Sequence, residues 1–159
     1  MLRLTRKTDY ALVALARLAN ADPDRGSPVS ARRIAEEYRL PLPLMMNLLK
    51  NLQQAGFVRS TRGARGGYYL ADRPEQIRLA SVIEAIEGPL QLTVCCEDET
   101  EDEPCLSCAL APRCPITMAM QHVNSRIADF LSQISLRDLM ESIIHVPAAG
   151  LGVGTAPPP

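Results

Sequence analysis

The sequence of 159 residues lacks the features that would direct a protein into a membrane or out of the cell. It contains no apolar run of the roughly 18–20 residues that a bilayer-spanning helix needs. Charged residues near the N-terminus, namely Arg3, Arg6, Lys7 and Asp9, interrupt any candidate signal peptide. We therefore expect a cytoplasmic protein with no membrane partner.

The residue patterns behind most enzyme chemistry are also absent. The two histidines, His122 and His145, are each isolated on a predicted helical segment. The sequence shows no nucleophile–base pair and no phosphate-binding loop. These absences predict a protein that is not an enzyme and takes no small-molecule substrate.

Acidic residues are missing between Leu40 and Ala71, which reflects a wider asymmetry of charge. Residues 1–80 contain fourteen lysines and arginines against seven acids, and residues 81–159 contain three against eleven, although the net charge is only −1. A basic half joined to an acidic half is typical of a polyanion-binding module beside another element. Two solvated faces would give the same totals, so only the positions of the charges can distinguish a polyanion-binding surface from ordinary solvated surface.

Four segments of the first ninety residues carry apolar side chains at positions i, i+3, i+4 and i+7. This spacing predicts four amphipathic helices, each with one buried stripe. Ser30 is a suitable N-cap for the second helix, Pro43 suits the first turn of the third, and Gly56 and Gly88 suit helix ends. The four stripes are Leu12, Leu15, Ala16 and Ala19; Ala31, Ile34, Ala35 and Tyr38; Met45, Leu48, Leu49 and Leu52; and Leu79, Val82, Ile83 and Ile86.

A β-hairpin is predicted between the third and fourth helices. Phe57–Ser60 and Tyr68–Ala71 have the composition of short strands, and Thr61–Gly67 contains three glycines and two arginines, which suits a hairpin tip. Two helices joined by a short linker and followed by a hairpin form a winged helix-turn-helix. The predicted fold is mainly α with a small β-hairpin wing, followed by a long C-terminal dimerisation helix.

That long helix is predicted from a heptad-like apolar seam, since spacings of 4, 3, 4, 3 and 4 residues suit packing against another long helix. The chain offers no partner helix of equal length, which favours a homodimer over packing on the same chain. Ser135 to Asp138 resembles the start of a short final helix reaching about residue 144. The seam comprises Ile116, Met120, Val123, Ile127, Phe130 and Ile134.

The chain is accordingly divided into four parts. Residues 1–90 form the winged helix-turn-helix domain and residues 91–115 a cysteine-rich, cluster-binding loop. Residues 116–145 form the dimerisation helix with the short terminal helix. Residues 146–159 lack periodic apolar residues and are predicted to be a disordered tail.

The outward face of the third helix and the hairpin tip suit double-stranded DNA. Asn47 could read adenine, and Leu44 and Met46 could touch thymine methyl groups. The positively charged side chains of this surface could bind phosphates or enter a minor groove, although a single exposed arginine is more often a solvated residue without a ligand. The candidate DNA-binding residues are Arg32, Pro43, Leu44, Met46, Asn47, Lys50, Arg62 and Arg65.

All five cysteines, Cys95, Cys96, Cys105, Cys108 and Cys114, lie within residues 94–114 beside six acids. A structural disulfide is disfavoured in a reducing cytosol, and zinc usually takes two close pairs of ligands. Iron–sulfur clusters accept thiolates from one irregular loop, whereas unligated cysteines are usually buried among apolar residues. Cys114 precedes Pro115, the predicted first residue of the long helix, whose positive end favours a thiolate or an anionic cluster. The six carboxylates act in the opposite sense by raising thiol pKa values.

The sequence resembles the IscR, NsrR and RirA winged-helix regulators of bacteria. The resemblance covers roughly residues 1–141 and is carried by the segments LTRKTDYALVALARLA, AGFVRSTRGARGGYYLA, IEAIEGPLQLTVC and ISLRDLM. It implies a dimer with crossed long helices that binds palindromic promoter DNA. It also implies a [2Fe–2S] or [4Fe–4S] cluster held by three cysteines.

The same resemblance assigns ligands. Cys95, Cys108 and Cys114 match the three cysteine positions, and Cys105 could replace Cys108 or serve as a fourth ligand. Asp9 matches the aspartate that the NsrR type supplies from the other subunit, although a helix-start acid is an equally good interpretation. Where the IscR type has a histidine ligand, this chain has Thr117. Arg62 matches the family's DNA-contacting arginine.

The hypothesis from sequence is a dimeric transcriptional regulator whose promoter binding is controlled by an iron–sulfur cluster. A thiol-redox regulator with a reversible Cys105–Cys108 disulfide and a zinc-stabilised DNA-binding protein are the alternatives within the same fold. An iron–sulfur carrier that does not bind DNA is the alternative of another class.

Overall fold

The computed structural model describes residues 4–21, 28–63, 66–93 and 113–141. The predicted cluster ligands Cys95, Cys105 and Cys108, the wing residue Arg65 and the tail 146–159 lie outside these ranges. No helix in the ranges is both long and apolar enough to cross a membrane. In chain order the elements are α1 (Arg6–Ala19), α2 (Ala31–Glu37), α3 (Leu42–Gln54), β1 (Val58–Thr61), β2 (Gly67–Leu70), α4 (Leu79–Glu87), α5 (Thr117–Gln133) and α6 (Leu136–Glu141).

The core is built mainly from apolar stripes at helical spacing. All four predicted residues of α3 are buried, as are Ile34 and Ala35 of α2, whereas Tyr38 is exposed. In α1 the buried stripe is displaced by one residue from the predicted one and comprises Ala11, Ala14, Leu15 and Leu18. This helix is apolar on more than one face, so its sequence fits two registers, and packing against α3 and α4 selects one.

The predicted helix boundaries of the winged part are confirmed. The Ser30 hydroxyl accepts a hydrogen bond from the Arg33 amide at 3.2 Å, and Pro43 lies in the first turn of α3. Gly56 and Gly88 follow the ends of α3 and α4 with φ values of 86° and 90°. Because these angles are in the left-handed region, which glycine adopts without a Cβ penalty, both helices stop where the sequence indicates.

The wing is an antiparallel hairpin attached to the start of α2. The strands pair with Val58 opposite Leu70 and Thr61 opposite Gly67, each strand one residue away from its predicted bounds. Tyr68 exchanges two backbone hydrogen bonds of 2.9 Å with Val29, which immediately precedes Ser30. A Cβ on Gly67 would lie only 2.6 Å from the Val29 carbonyl carbon, so this close approach requires glycine.

Helix α5 packs on α4. It begins at Thr117, two residues later than predicted from Pro115, and Ile116 is its N-cap residue. None of its 17 residues is buried, although the helix is described along its whole length. Of the predicted apolar seam, Ile116 and Val123 are 58% and 45% exposed, and Ile134, just beyond the helix, is buried.

The C-terminal end of α5 is fixed to the segment that joins the wing to α4. The Leu79 amide donates to the Ile134 carbonyl at 2.9 Å, and the Leu136 amide donates to the Ile77 carbonyl at 2.8 Å. Ser135 and Asp138 form the predicted helix start, since both the amide and the hydroxyl of Ser135 donate to the Asp138 carboxylate. Any rotation of α5 at this end must therefore move the winged part with it.

Candidate functional site

The outward face of α3 presents the predicted base-reading residues. Pro43, Asn47 and Lys50 are exposed and Met46 is 51% exposed, whereas Leu44 is half-buried. Met45, Leu48 and Leu49 occupy the opposite face and are buried, so packing of that face fixes which residues point outward. The arrangement suits insertion of the helix into a groove that is lined by base edges.

The wing and α2 place cations beside that face. Arg32 is exposed in the first turn of α2, and Arg62 is exposed directly after β1. The Gln53 side-chain amide donates to the Ser60 hydroxyl at 3.2 Å, which ties the end of α3 to β1. Because no acid occurs between Leu40 and Ala71, α3 and the hairpin together form a surface of positive potential.

Cys114 is the one predicted cysteine ligand within the described residues, and it lies just before α5. The Thr117 hydroxyl, and then the Ile116 amide, lower the pKa of this half-buried thiol below its ordinary value, because both are donors beside its sulfur. The Thr117 hydroxyl oxygen is buried and has no hydrogen-bond partner by distance and angle in the described ranges, so its proton is free for the Cys114 sulfur. The side chain that stands at the position of the IscR-type histidine thus stabilises a neighbouring thiolate.

The structure does not bring together the full predicted ligand set. Asp9 is exposed in the first turn of α1, and no three metal-binding side chains meet among the residues that the structure describes. The three other predicted cysteine ligands lie outside those residues. Cys114, the cysteine ligand that the structure does describe, nevertheless suits an iron–sulfur cluster, because such a cluster binds cysteine as the thiolate.

The segment that leads to the first cysteine is also attached to α5. The Leu92 amide donates to the side-chain oxygen of Asn124 at 3.1 Å. Cys114, the last residue of the cysteine segment 94–114, precedes the same helix by three positions, so the chain is joined to α5 at Cys114 and bonded to it at Leu92, two residues before the segment. Sequence reasoning missed Asn124, although an asparagine inside a helix signals a possible bond to a neighbouring backbone group.

A hydrogen-bond cluster joins the start of α1 to the end of α4, and it too was missed. One carboxylate oxygen of Glu87 accepts from the Thr5 amide at 3.1 Å, from the Thr5 hydroxyl at 2.6 Å and from the Thr8 hydroxyl at 2.5 Å. These hydroxyl bonds, with a smaller effect of Lys7, lower the pKa of Glu87. Asp9 follows Thr8 directly, so the cluster fixes the turn that carries it.

Replacing Glu87 with alanine should lower the free energy of unfolding near neutral pH by about 1–3 kcal/mol, because the buried Thr8 hydroxyl loses its acceptor. Since folding lowers the carboxyl pKa, its stabilisation is present above the ordinary value of 4.5 and is lost as pH falls through the lower folded value. Chemical denaturation of both proteins across this range measures the effect. Glu84→Ala, which alters an exposed acid of the same helix, is the control and should change little; an equal loss in this control would contradict the assignment.

Comparison with known proteins is consistent with this geometry. The profile of the Rrf2 family, described as iron-dependent transcriptional regulators, matches residues 4–142. The HTH-type transcriptional regulator IscR of Aliivibrio salmonicida is 32% identical over 139 residues, which cover 87% of this chain and 77% of that one. The HTH-type transcriptional regulator NsrR of Bacillus licheniformis is 29% identical over 145 residues, covering 91% and 96%.

A solved structure shares the fold. CymR, described as the global cysteine regulator of B. subtilis, aligns with a TM-score of 0.66 and 28% identity over 89% of this chain and 98% of its own. The resemblance identified from the sequence motifs is thereby confirmed. With its winged helix-turn-helix, its long C-terminal helix and a family match over most of its length, this chain belongs to the Rrf2 family of transcriptional regulators.

Proposed function

We propose that this chain is a dimeric regulator whose binding to promoter DNA is controlled by an iron–sulfur cluster. Cys95, Cys108 and Cys114 would hold the cluster, with Cys105 as a replacement or a fourth ligand. Asp9 of the second subunit is the non-cysteine candidate. The observation that carries the proposal is the position of Cys114 directly before α5, in a chain whose family is described as iron-dependent.

Control of DNA binding requires a path from the cysteine segment to α3. Cys114 leads directly into α5, and Asn124 of α5 holds Leu92. At its other end α5 is hydrogen-bonded to residues 77–79, between the wing and α4. These contacts support a mechanism in which the position of α5 sets the position of the winged part.

When bound, the cluster supplies iron–thiolate bonds that join distant cysteines, and iron shortage, oxidation or nitric oxide would remove those bonds. Release of Cys114 would then leave the start of α5 held by fewer contacts. A coupling free energy of about 1–3 kcal/mol between the two sites would change DNA affinity roughly 5- to 150-fold. Whether the cluster-loaded or the cluster-free protein binds DNA depends on which of the two forms aligns the two winged parts of the dimer.

The dimer is supported by the uncovered side of α5. Ile116 and Val123 of the predicted seam are seven residues apart, which places them on one side of the helix, and they are 58% and 45% exposed. A helix of 17 residues without one buried side chain has little tertiary stabilisation in a single chain. Packing against the same helix of a second copy would bury this surface in a coiled-coil-like contact.

The decisive experiment is purification without oxygen, followed by iron and sulfide analysis and a gel shift. The duplex is one that the wild-type protein selects from a random pool. We expect visible absorption, comparable amounts of iron and sulfide, and a retarded complex. Arg62→Ala should weaken that complex by about 1–3 kcal/mol, while Arg73→Ala, an exposed arginine beyond β2, should have little effect. Colourless, iron-free protein that cannot be reconstituted would refute control by a cluster.

A thiol-based regulator without a cluster is the second candidate, and the likeness to CymR, described as a cysteine regulator, favours it. Colourless protein with a reversible Cys105–Cys108 disulfide would support this reading. Colourless protein that retains metal in reductant would indicate zinc instead. Coloured protein that retards no duplex would indicate an iron–sulfur carrier.

A further inference from the structure

The turn between α2 and α3 contains a strained residue. Arg39 has φ of 53° and is the sole non-glycine residue with positive φ in the described ranges. Its amide donates to the Glu36 carbonyl at 3.3 Å, and the next amide, that of Leu40, donates to the Ala35 carbonyl at 2.8 Å. Helix ends with these bonds usually have glycine or asparagine in the left-handed position, because other side chains strain the backbone there.

The Arg39 side chain makes no hydrogen bond or ion pair in the described part of the chain that would offset this strain. The residue is exposed. Arg17, by contrast, bonds Glu37 of α2 at 2.7 Å. A strained residue with no stabilising contact of its own is a candidate for a role in binding.

The position of Arg39 indicates which ligand it could meet. It precedes α3 by three residues, at the N-terminal end by which this helix would enter the major groove. Phosphates border that groove on both sides, and most protein–DNA hydrogen bonds go to the backbone. A guanidinium matches a phosphate with two parallel hydrogen bonds, which neither glycine nor asparagine can supply.

We infer that Arg39 binds a backbone phosphate of the DNA duplex beside α3, a contact that rests on the proposed DNA-binding function. Arg39 is exposed in the turn and lies three residues before the first residue of α3. The strain is therefore retained in the free protein for a contact made only in the complex. A phosphate contact contributes affinity without sequence preference.

The test compares Arg39→Asn with Arg39→Lys. Asparagine tolerates the left-handed position but lacks the charge, whereas lysine keeps both the charge and the strain. Binding is measured against salt concentration on the selected duplex and on a scrambled duplex of equal composition. For Arg39→Asn we expect a roughly 3- to 10-fold loss on both duplexes and a salt slope smaller by about one unit. The thermal midpoint of Arg39→Asn should equal or exceed that of the wild type, and Arg39→Lys should keep the wild-type slope.

Each contrary outcome has one meaning. If the wild type binds no duplex at all, the proposed function fails and this inference fails with it. If the wild type binds and Arg39→Asn has the same affinity and slope, only the inference about Arg39 is overturned. A lowered thermal midpoint in Arg39→Asn together with an unchanged slope would show a purely structural role, which also overturns it.

Discussion

Replacing Gly67 with alanine is expected to separate the wing from α2 and to lower the free energy of unfolding by about 3 kcal/mol. The new Cβ would lie 2.6 and 2.7 Å from the carbonyl carbon and oxygen of Val29, and 2.9 Å from the Ser30 amide nitrogen. These are backbone atoms, which cannot rotate out of the way as a flexible side chain would. The strand must therefore retreat, and the paired hydrogen bonds between Tyr68 and Val29 are lost with it.

Thermal unfolding and binding of the selected duplex measure the result. In a chain of this length a loss of this size corresponds to a fall in the midpoint of roughly 6–12 °C. Thr61→Ala is the matched control, because Thr61 pairs with Gly67 in the hairpin and is exposed. A Gly67→Ala protein that unfolds and binds DNA like the wild type would mean that β2 does not pack on residues 29–30 in solution.

Replacing Cys114 with alanine is expected to abolish the visible absorption of protein purified without oxygen. Alanine cannot ligate iron, and no other cysteine lies at the start of α5. Cys95→Ala and Cys108→Ala should lose the absorption as well. Cys96→Ala is the matched control, since adjacent cysteines seldom bind one metal site together and Cys96 is not among the assigned ligands.

The Cys105→Ala variant distinguishes a cluster that uses Cys108 as a ligand from one in which Cys105 takes the place of Cys108. Complete loss of absorption in Cys105→Ala with retention in Cys108→Ala would exchange these two assignments. If Cys95→Ala, Cys108→Ala and Cys114→Ala all retain the absorption, the ligand assignment is wrong. Thermal unfolding of each variant without its metal shows whether the winged part still folds.

Much of the fold could be predicted because local signals agreed with tertiary packing. In α3 the stripe of Met45, Leu48, Leu49 and Leu52 coincides with the buried face, and Gly56 follows its end. In α1 the stripe was displaced by one residue, since alanine and leucine occur on several faces and the period alone does not choose between them. The strand bounds lie one residue nearer the tip than predicted because the ladder extends to Thr61 and Gly67, while the pairing register is the one that the predicted strands imply.

The contacts around the candidate site could not be predicted, because they join residues far apart in sequence. Glu87 bonds Thr5 across 82 positions, and Leu92 bonds Asn124 across 32. Arg39 was missed for another reason, since its residue type argues against the left-handed position that it adopts. The ligand set and the DNA contacts remain predictions from sequence, of which the described residues place Cys114, Asp9 and most of the candidate DNA-binding face.

The burial of Ile134 and Leu136 bears on how the protein is made. Leu136 shares a buried cluster with residues of α1 and α3, and Ile134 shares one with Leu79 and Ile83 of α4. A ribosome releases the chain from its N-terminus, so all five cysteines emerge before the residues that close these clusters. During synthesis the thiols therefore meet the cell's iron, sulfide and oxidants while the nascent domain is still incomplete.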